Sequence, residues 1–249
     1  MNTAVFQRHE IKYLLDQEQQ DFLFQVMQGY MEPDPHGEST ICNIYYDTPD
    51  YRLIRRSLEK PIYKEKLRIR SYGPAASSDM IFLELKKKFK GVVYKRRIEL
   101  PQERAIAYLD GKEPLCVDSQ IGREIDYFCR YYGGLKPAVH LCYDRKAFYS
   151  TADPDLRITL DLNIRWEDQH LSLSSRPAGT QLLDPGQSLL EIKTATALPL
   201  WLTHALCEAD IQHISFSKYG TAYETGLCYK PAQASNSYHL VKSRGYCYV

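Results

Sequence analysis

Polar and apolar positions alternate with a period of two in a series of short segments, the spacing of a β-strand whose side chains point to two faces in turn. In IYKEKLRIRSY, Lys64, Lys66, Arg68 and Arg70 share one side, with Leu67 and Ile69 on the other. In IFLELKKKF, Phe82, Glu84, Lys86 and Lys88 oppose Leu83, Leu85 and Phe89; in VVYKRRIEL, Val93, Lys95, Arg97 and Glu99 oppose Tyr94 and Ile98. The N-terminal segment puts Phe6, Arg8, Glu10 and Lys12 on one face. Tyr143 and Arg145 repeat the habit, as do Arg157, Thr159 and Asp161, and then Leu189, Glu191 and Lys193. Three other stretches carry helical spacing. Asp16 can cap a helix over about 17–28, with Gln19 at the capping-box position and Phe22, Leu23, Val26 and Met27 as its stripe. A second runs over about 119–132 on Ile121, Ile125, Phe128 and Cys129 and ends at Gly133, and a third follows Pro199 on Trp201, Leu202, Ala205 and Leu206.

The charged faces are dominated by arginine and lysine with single carboxylates between them, whereas a solvated face mixes the two signs more evenly. The opposite faces are too apolar to be left bare, and the helices can cover them. The expected fold is therefore α+β: an antiparallel β-barrel with a charged bore and helices packed on the outside. Unpaired buried cations are costly, so such a bore implies a polyanionic ligand. Guanidinium forks suit phosphate oxygens, and lysines act as point charges. The interspersed carboxylates Glu10, Glu84, Asp161 and Glu191 would be redundant for phosphate alone and suit a hard divalent cation, Mg²⁺ or Mn²⁺. Phosphoryl transfer, which rests on positioning and charge stabilisation, needs these parts.

Composition sharpens this picture in one respect. The 249 residues are 44% hydrophobic and 25% charged, ordinary for a globular fold, and the net charge is only +1. Yet residues 52–97 hold fifteen basic side chains against four acidic ones, a net +11 that the rest of the chain balances with −10. No apolar run approaches a membrane helix and the N-terminus does not read as a signal peptide, so a cytoplasmic protein without direct membrane insertion is expected. Seven scattered cysteines with no C-x-x-C pair suggest reduced thiols rather than a disulfide framework or zinc site. Neither a P-loop nor a dinucleotide-binding glycine motif occurs, and no metalloprotease or serine-hydrolase motif, so a phosphate site must be built from side chains. Nucleic acid is not expected as the partner: the basic residues alternate within strands, are matched by carboxylates, and have no RNP-like aromatic motif beside them.

The segments RHEIKY (8–13), YYDTPDY (45–51), KLRIRSYG (66–73), FLELKKK (82–88), VYKRRI (93–98), YDRKAF (143–148), LRITLD (156–161), LLEIK (189–193) and SFSKYG (215–220) together resemble the catalytic domain of the vacuolar transporter chaperone polyphosphate polymerases, within the triphosphate tunnel metalloenzymes. The resemblance spans about residues 5–226 and implies a catalytic domain over 1–228, leaving 229–249 as a tail without an assigned role. It implies a β-barrel tunnel, a divalent metal, and transfer of the ATP γ-phosphate onto growing inorganic polyphosphate with release of ADP. By the same resemblance, Arg68 and Arg70 would hold phosphates, with Lys86 and Lys95 completing that wall. Arg145 and Arg157 would grip the opposite side, Glu191 would bind metal, and Lys218 would point to the tunnel centre; Lys12 matches the family's first-strand lysine. Arg8, Lys66, Arg97 and Lys193 fall on the same inward faces. Arg8 stands where the hydrolytic branch has the first glutamate of its E-x-E-x-K pattern, which favours the polymerase branch. An inorganic triphosphatase and a non-catalytic polyphosphate- or nucleotide-binding module are the alternatives. Regulation or export of product would fall to a membrane-protein partner.

Overall fold

The computed structural model describes residues 9–90 and 92–229, so Arg8, Phe6 and the tail beyond Tyr229 lie outside the described residues. The chain runs β1 (His9–Leu15), α1 (Gln17–Met27), β2 (Met31–Asp47), α2 (Arg52–Leu58), β3 (Tyr63–Tyr72), β4 (Met80–Phe89), β5 (Val92–Pro101), α3 (Gln102–Leu109), α4 (Gln120–Tyr132), β6 (Lys136–Ser150), β7 (Arg157–Glu167), β8 (Thr180–Gln181), β9 (Ser188–Thr194), α5 (Leu200–Glu208), β10 (His213–Ile214) and α6 (Lys218–Thr225). Every strand pair is antiparallel, in the order β10-β1-β9-β7-β6-β2-β3-β4-β5, with β8 beside β7.

All three helices expected from the sequence are present. Asp16 and Gln19 close a capping box on α1, and Ser119 caps α4, which stops at Gly133 with φ of 56°. The alternation of the strands also holds. Leu67, Ile69, Leu83 and Leu85 are fully buried on the outer face of β3 and β4, against Ile125 and Phe128 of α4 and Ala105 of α3. Each such side chain contributes about 1.5–3 kcal/mol of burial. On the other half of the sheet, Ile158, Leu160, Leu190 and Ile192 pack under Leu23 and Met27 of α1 and Leu202 and Leu206 of α5.

Two features of the expected barrel are corrected. The sheet is not closed: β5 and β10 are its two ends, and no hydrogen-bonded ladder joins them among the described residues. It curls far enough, however, for Glu10 of β1 and Lys86 of β4 to meet at 3.6 Å from opposite walls. Nor are all helices outside. Ile54 of α2 and Tyr219 and Ala222 of α6 pack on Ile41, Tyr45, Leu141, Tyr143 and Leu189, which share the inward parity of their strands. The concave face is thus an apolar floor at one end, filled by α2 and α6, and a charged channel over the rest.

Candidate functional site

The channel is built around a few buried carboxylates, each holding several cations. On the β3–β4–β5 wall, Glu84 has a side chain only 1% exposed. It accepts from Arg68 (Nη2 at 2.6 Å), Arg97 (Nη2 at 2.5 Å) and Lys95 (3.0 Å), with Arg70 Nε at 3.9 Å. These contacts follow from register, since Arg68 and Arg97 are the cross-strand partners of Glu84 on its two sides. Burial alone would raise the Glu84 carboxyl, but Arg68, Arg70 and Lys95 outweigh it and hold it well below its ordinary value. Arg68 also donates to the Tyr45 hydroxyl at 2.9 Å, and Arg70 donates to Asn43 Oδ1 at 2.8 Å and to the Tyr143 hydroxyl at 3.4 Å.

On the β6–β7–β9–β1 wall, Arg145 forms a bidentate pair with Asp161 (2.6 and 2.7 Å) and reaches Glu191 at 3.5 Å. Lys12 lies 3.2 Å from Glu191 and 3.4 Å from Glu10. Burial pushes Glu191, Asp161 and Glu10 up, yet neighbouring cations, led by Lys218 for the first two and Lys86 for Glu10, hold all three low. Between the walls, Lys218 sits at the first position of α6 with Ser217 as its N-cap. Its Nζ is 2.5 Å from Asp161 and 3.3 Å from Glu191, over the Tyr143 ring at 4.5 Å. Burial would lower this lysine, but the two carboxylates raise it, so it stays charged.

Among the described residues, Lys66 has no such counter-ion. It donates to Ser217 Oγ at 2.7 Å, and burial, reinforced by Lys86, Lys64 and Lys12, brings it down to about 7. Lys193 is lowered by burial too, with Glu191 opposing, and Lys95 falls to about 8 for the same first reason although Glu84 resists.

The residues singled out in the sequence therefore converge, with two exceptions. Arg8 lies outside the described residues, and Arg157 is exposed at the first residue of β7, opposite Lys193 at one end of the channel. The four carboxylates do not form one metal cluster: among the described residues no three His, Cys, Asp or Glu side chains gather as one. Both oxygens of Glu84 and of Asp161 accept arginine N–H groups at 2.6–2.8 Å, whereas Glu10 and Glu191 meet Lys12, Lys86, Lys218 and Arg145 at the longer distances of 3.2–3.6 Å. Glu10 and Glu191, which share Lys12, form a pair of hard oxygen donors, the number a magnesium-like ion takes alongside phosphate oxygens.

Sequence reasoning put Tyr143 on the inward face but did not single out Asn43 and Tyr45, which orient the arginines with it, or Asp47, which positions α2 and α6. The fully buried Asp47 carboxylate accepts from the amides of Thr48, Leu53 and Ile54 and from the Tyr219 hydroxyl, next to Lys218. The turn signal Thr48-Pro49-Asp50 and the Ser217 cap before Lys218 were the available clues.

The chain is similar to known proteins in fold and in sequence. A solved structure titled a "putative adenylate cyclase" from Bacillus halodurans shares the fold with a TM-score of 0.53 at 14% identity, over 85% of this chain and 95% of that one. "Vacuolar transporter chaperone complex subunit 4" of Schizosaccharomyces pombe is 28% identical over 149 residues, 51% of this chain, and the match spans only 20% of that relative's length. The family model described as the VTC domain matches residues 7–226, every strand and helix that builds the channel, and the chain belongs to that family.

Proposed function

We propose that the chain is a polyphosphate polymerase, moving the γ-phosphate of ATP onto the end of an inorganic polyphosphate chain held in the channel and releasing ADP. The observation that carries this reading is the convergence of Lys12, Lys66, Arg68, Arg70, Lys86, Lys95, Arg97, Arg145, Lys193 and Lys218 on one concave face, with far fewer carboxylates among them. Such an excess of positive charge gathered on one concave face, with Arg70 and Lys218 buried and most of the rest half-buried, is relieved by a chain of phosphates and by few other ligands. Family membership supports the same substrate class.

In the transfer, the bond between the γ-phosphorus and its bridging oxygen to ADP breaks, and a terminal oxygen of the polyphosphate forms the new bond. Arg68, Arg70 and Arg97 bind and orient phosphates from one wall, Arg145 and Lys12 from the other. Lys218, fixed by two carboxylates and a tyrosine ring, places a permanent charge between the walls, where negative charge shifts as the phosphoryl group moves. Glu84 and Asp161 act as counter-ions that fix the arginines. Glu191 and Glu10 would hold Mn²⁺ or Mg²⁺, which when bound would neutralise phosphate oxygens. All four carboxylates are held ionised and low, which makes them weak bases for activating water and favours transfer over hydrolysis.

The test is incubation with ATP and either metal, resolving polyphosphate, ADP and free phosphate, beside Arg68→Ala and Glu191→Gln. Matched polyphosphate and ADP, lost in both variants, is the expected result. Free phosphate without polymer would replace this reading with an inorganic triphosphatase, and tight tripolyphosphate binding without turnover would replace it with a binding module.

A further inference from the structure

Two of the scattered cysteines meet although 100 residues separate them. Cys42 of β2 and Cys142 of β6 are direct register partners, and their sulfurs lie 3.2 Å apart. Directly opposed residues of antiparallel strands have Cα atoms about 4.5–5.5 Å apart, inside the range a disulfide spans. Both thiols face away from the channel, in the core under α3 and α4, and are 0% and 4% exposed.

Their surroundings make the two thiols unequal. The hydrogen bond from Cys142 lowers Cys42 and correspondingly raises Cys142. His140, two residues before Cys142 on the same face of β6, lowers Cys42 further and has its Nδ1 3.5 Å from Glu167. Two thiols in direct contact, with Cys42 favoured to give up its proton, are the arrangement in which one sulfur is oxidised and the other resolves it.

The next residue along each strand faces the channel. Asn43 accepts from Arg70 and donates to Leu141 O, while Tyr143 accepts from Arg70 and supports Lys218 and Arg145 on its ring. Forming a disulfide would bring the sulfurs about 1 Å closer, to the bonded distance of about 2.05 Å. The close-packed strands transmit that pull to Asn43 and Tyr143.

We propose that Cys42 and Cys142 form a reversible disulfide that responds to hydroperoxides and weakens the grip of the Arg70 side of the channel on its polyanion. Cys42 gives up its proton and its sulfur attacks one peroxide oxygen, the O–O bond breaks, and a sulfenic acid and water result as the leaving oxygen takes that proton. The Cys142 sulfur then attacks the sulfenic sulfur, the S–O bond breaks, and a second water leaves with the thiol proton. Two thiols are oxidised and one peroxide is reduced to two waters; a dithiol reductant reverses the change. The cross-link stands on the sulfur geometry alone, whereas its effect on binding rests on the function proposed above.

The experiment treats the full chain with hydrogen peroxide, blocks remaining thiols with an alkylating reagent and maps the peptides by mass. Tripolyphosphate affinity is measured by calorimetry before and after treatment and again after dithiothreitol. The expected result is a Cys42–Cys142 peptide pair lighter by two hydrogens, with affinity at least threefold weaker and restored by reduction. Cys42→Ala and Cys142→Ser, each checked by circular dichroism, should bind as the reduced protein does and be insensitive to peroxide. Absence of the cross-linked pair in folded wild-type protein would overturn the proposal, as would a cross-link that leaves affinity unchanged. Reduced protein that binds no tripolyphosphate would overturn the functional reading, and the coupling with it, while the peptide map would still decide the cross-link.

Discussion

Lys66 gives the channel a proton-linked signature that can be measured without turnover. Burial and three neighbouring lysines bring it to about 7, and it donates to the Ser217 hydroxyl. At pH 8 a group with that value is about one-tenth protonated. A phosphate chain beside it supplies the missing counter-charge, and any rise to about 9 or above leaves it about nine-tenths protonated. Binding at pH 8 should therefore take up ~0.8 proton through this residue, and almost none at pH 6, where Lys66 is already charged. The sign follows: affinity should fall as pH rises above about 7, by up to roughly tenfold per pH unit. Titrating tripolyphosphate into the protein by calorimetry in HEPES and in Tris yields the proton count from the dependence of heat on buffer ionisation. Tripolyphosphate titrates near pH 8 itself, so the decisive quantity is the difference between wild type and Lys66→Met, in which the ligand's own protons cancel. A difference below ~0.2 proton at pH 8 would show that Lys66 is charged before the ligand binds or untouched by it, and the argument from burial would fail.

The remaining predictions concern the supports of the site. Asp47→Asn should cost about 2–3 kcal/mol in urea denaturation, because a buried acceptor of three amides and a tyrosine hydroxyl is replaced by a group that turns donors toward donors. The same variant should weaken tripolyphosphate binding, since α6 carries Lys218. Glu191, Asp161 and Glu10 are held below the usual carboxylate range, so the stability they add is fully present above about pH 5 and is lost as pH falls through their lowered values. Urea midpoints should accordingly be level between pH 7 and 5 on their account and drop below about pH 4; a steep loss already at pH 6 would refute this.

The strands and their inward faces were legible because a period of two survives as long as the ladder is regular. Where it is not, the pattern breaks: beside the register shift between Cys142 and Asp144, Asn163 takes φ of 52°, so Asp161 and then Ile164 and Trp166 face the same concave side. Period also says nothing about closure, which depends on whether β5 and β10 reach one another. Helix α2 escaped detection because its cap comes from Asp47, five residues before its first residue. The Cys42–Cys142 pair is a product of β2–β6 register, which no local spacing encodes.

The interspersed carboxylates separate two accounts of the channel. If net charge alone determined affinity for a polyanion, Glu84→Gln would bind tripolyphosphate more tightly, because a buried negative charge beside the phosphates would be gone. If the carboxylates preorganise the cations, binding should weaken. Glu84 takes Nε and Nη2 of Arg68 and of Arg97, and Tyr45 takes one donor of Arg68 Nη1, so the remaining guanidinium N–H groups are left for phosphate and the forks are fixed without being consumed. Without it, Arg68, Arg97 and Lys95 repel one another in a site that is 1% exposed at its centre. Removing one partner of such a buried network costs about 3–5 kcal/mol of stability. The cations would relieve that strain by moving apart, and the ligand would then have to gather them again. Glu84→Gln, held folded at low temperature and checked by circular dichroism, should bind tripolyphosphate at least tenfold more weakly than wild type at equal ionic strength. Its urea midpoint should also recover on saturation with ligand by more than that of wild type at the same multiple of Kd. Tighter binding by the variant would show that charge excess, not the placement of the arginines, governs the channel.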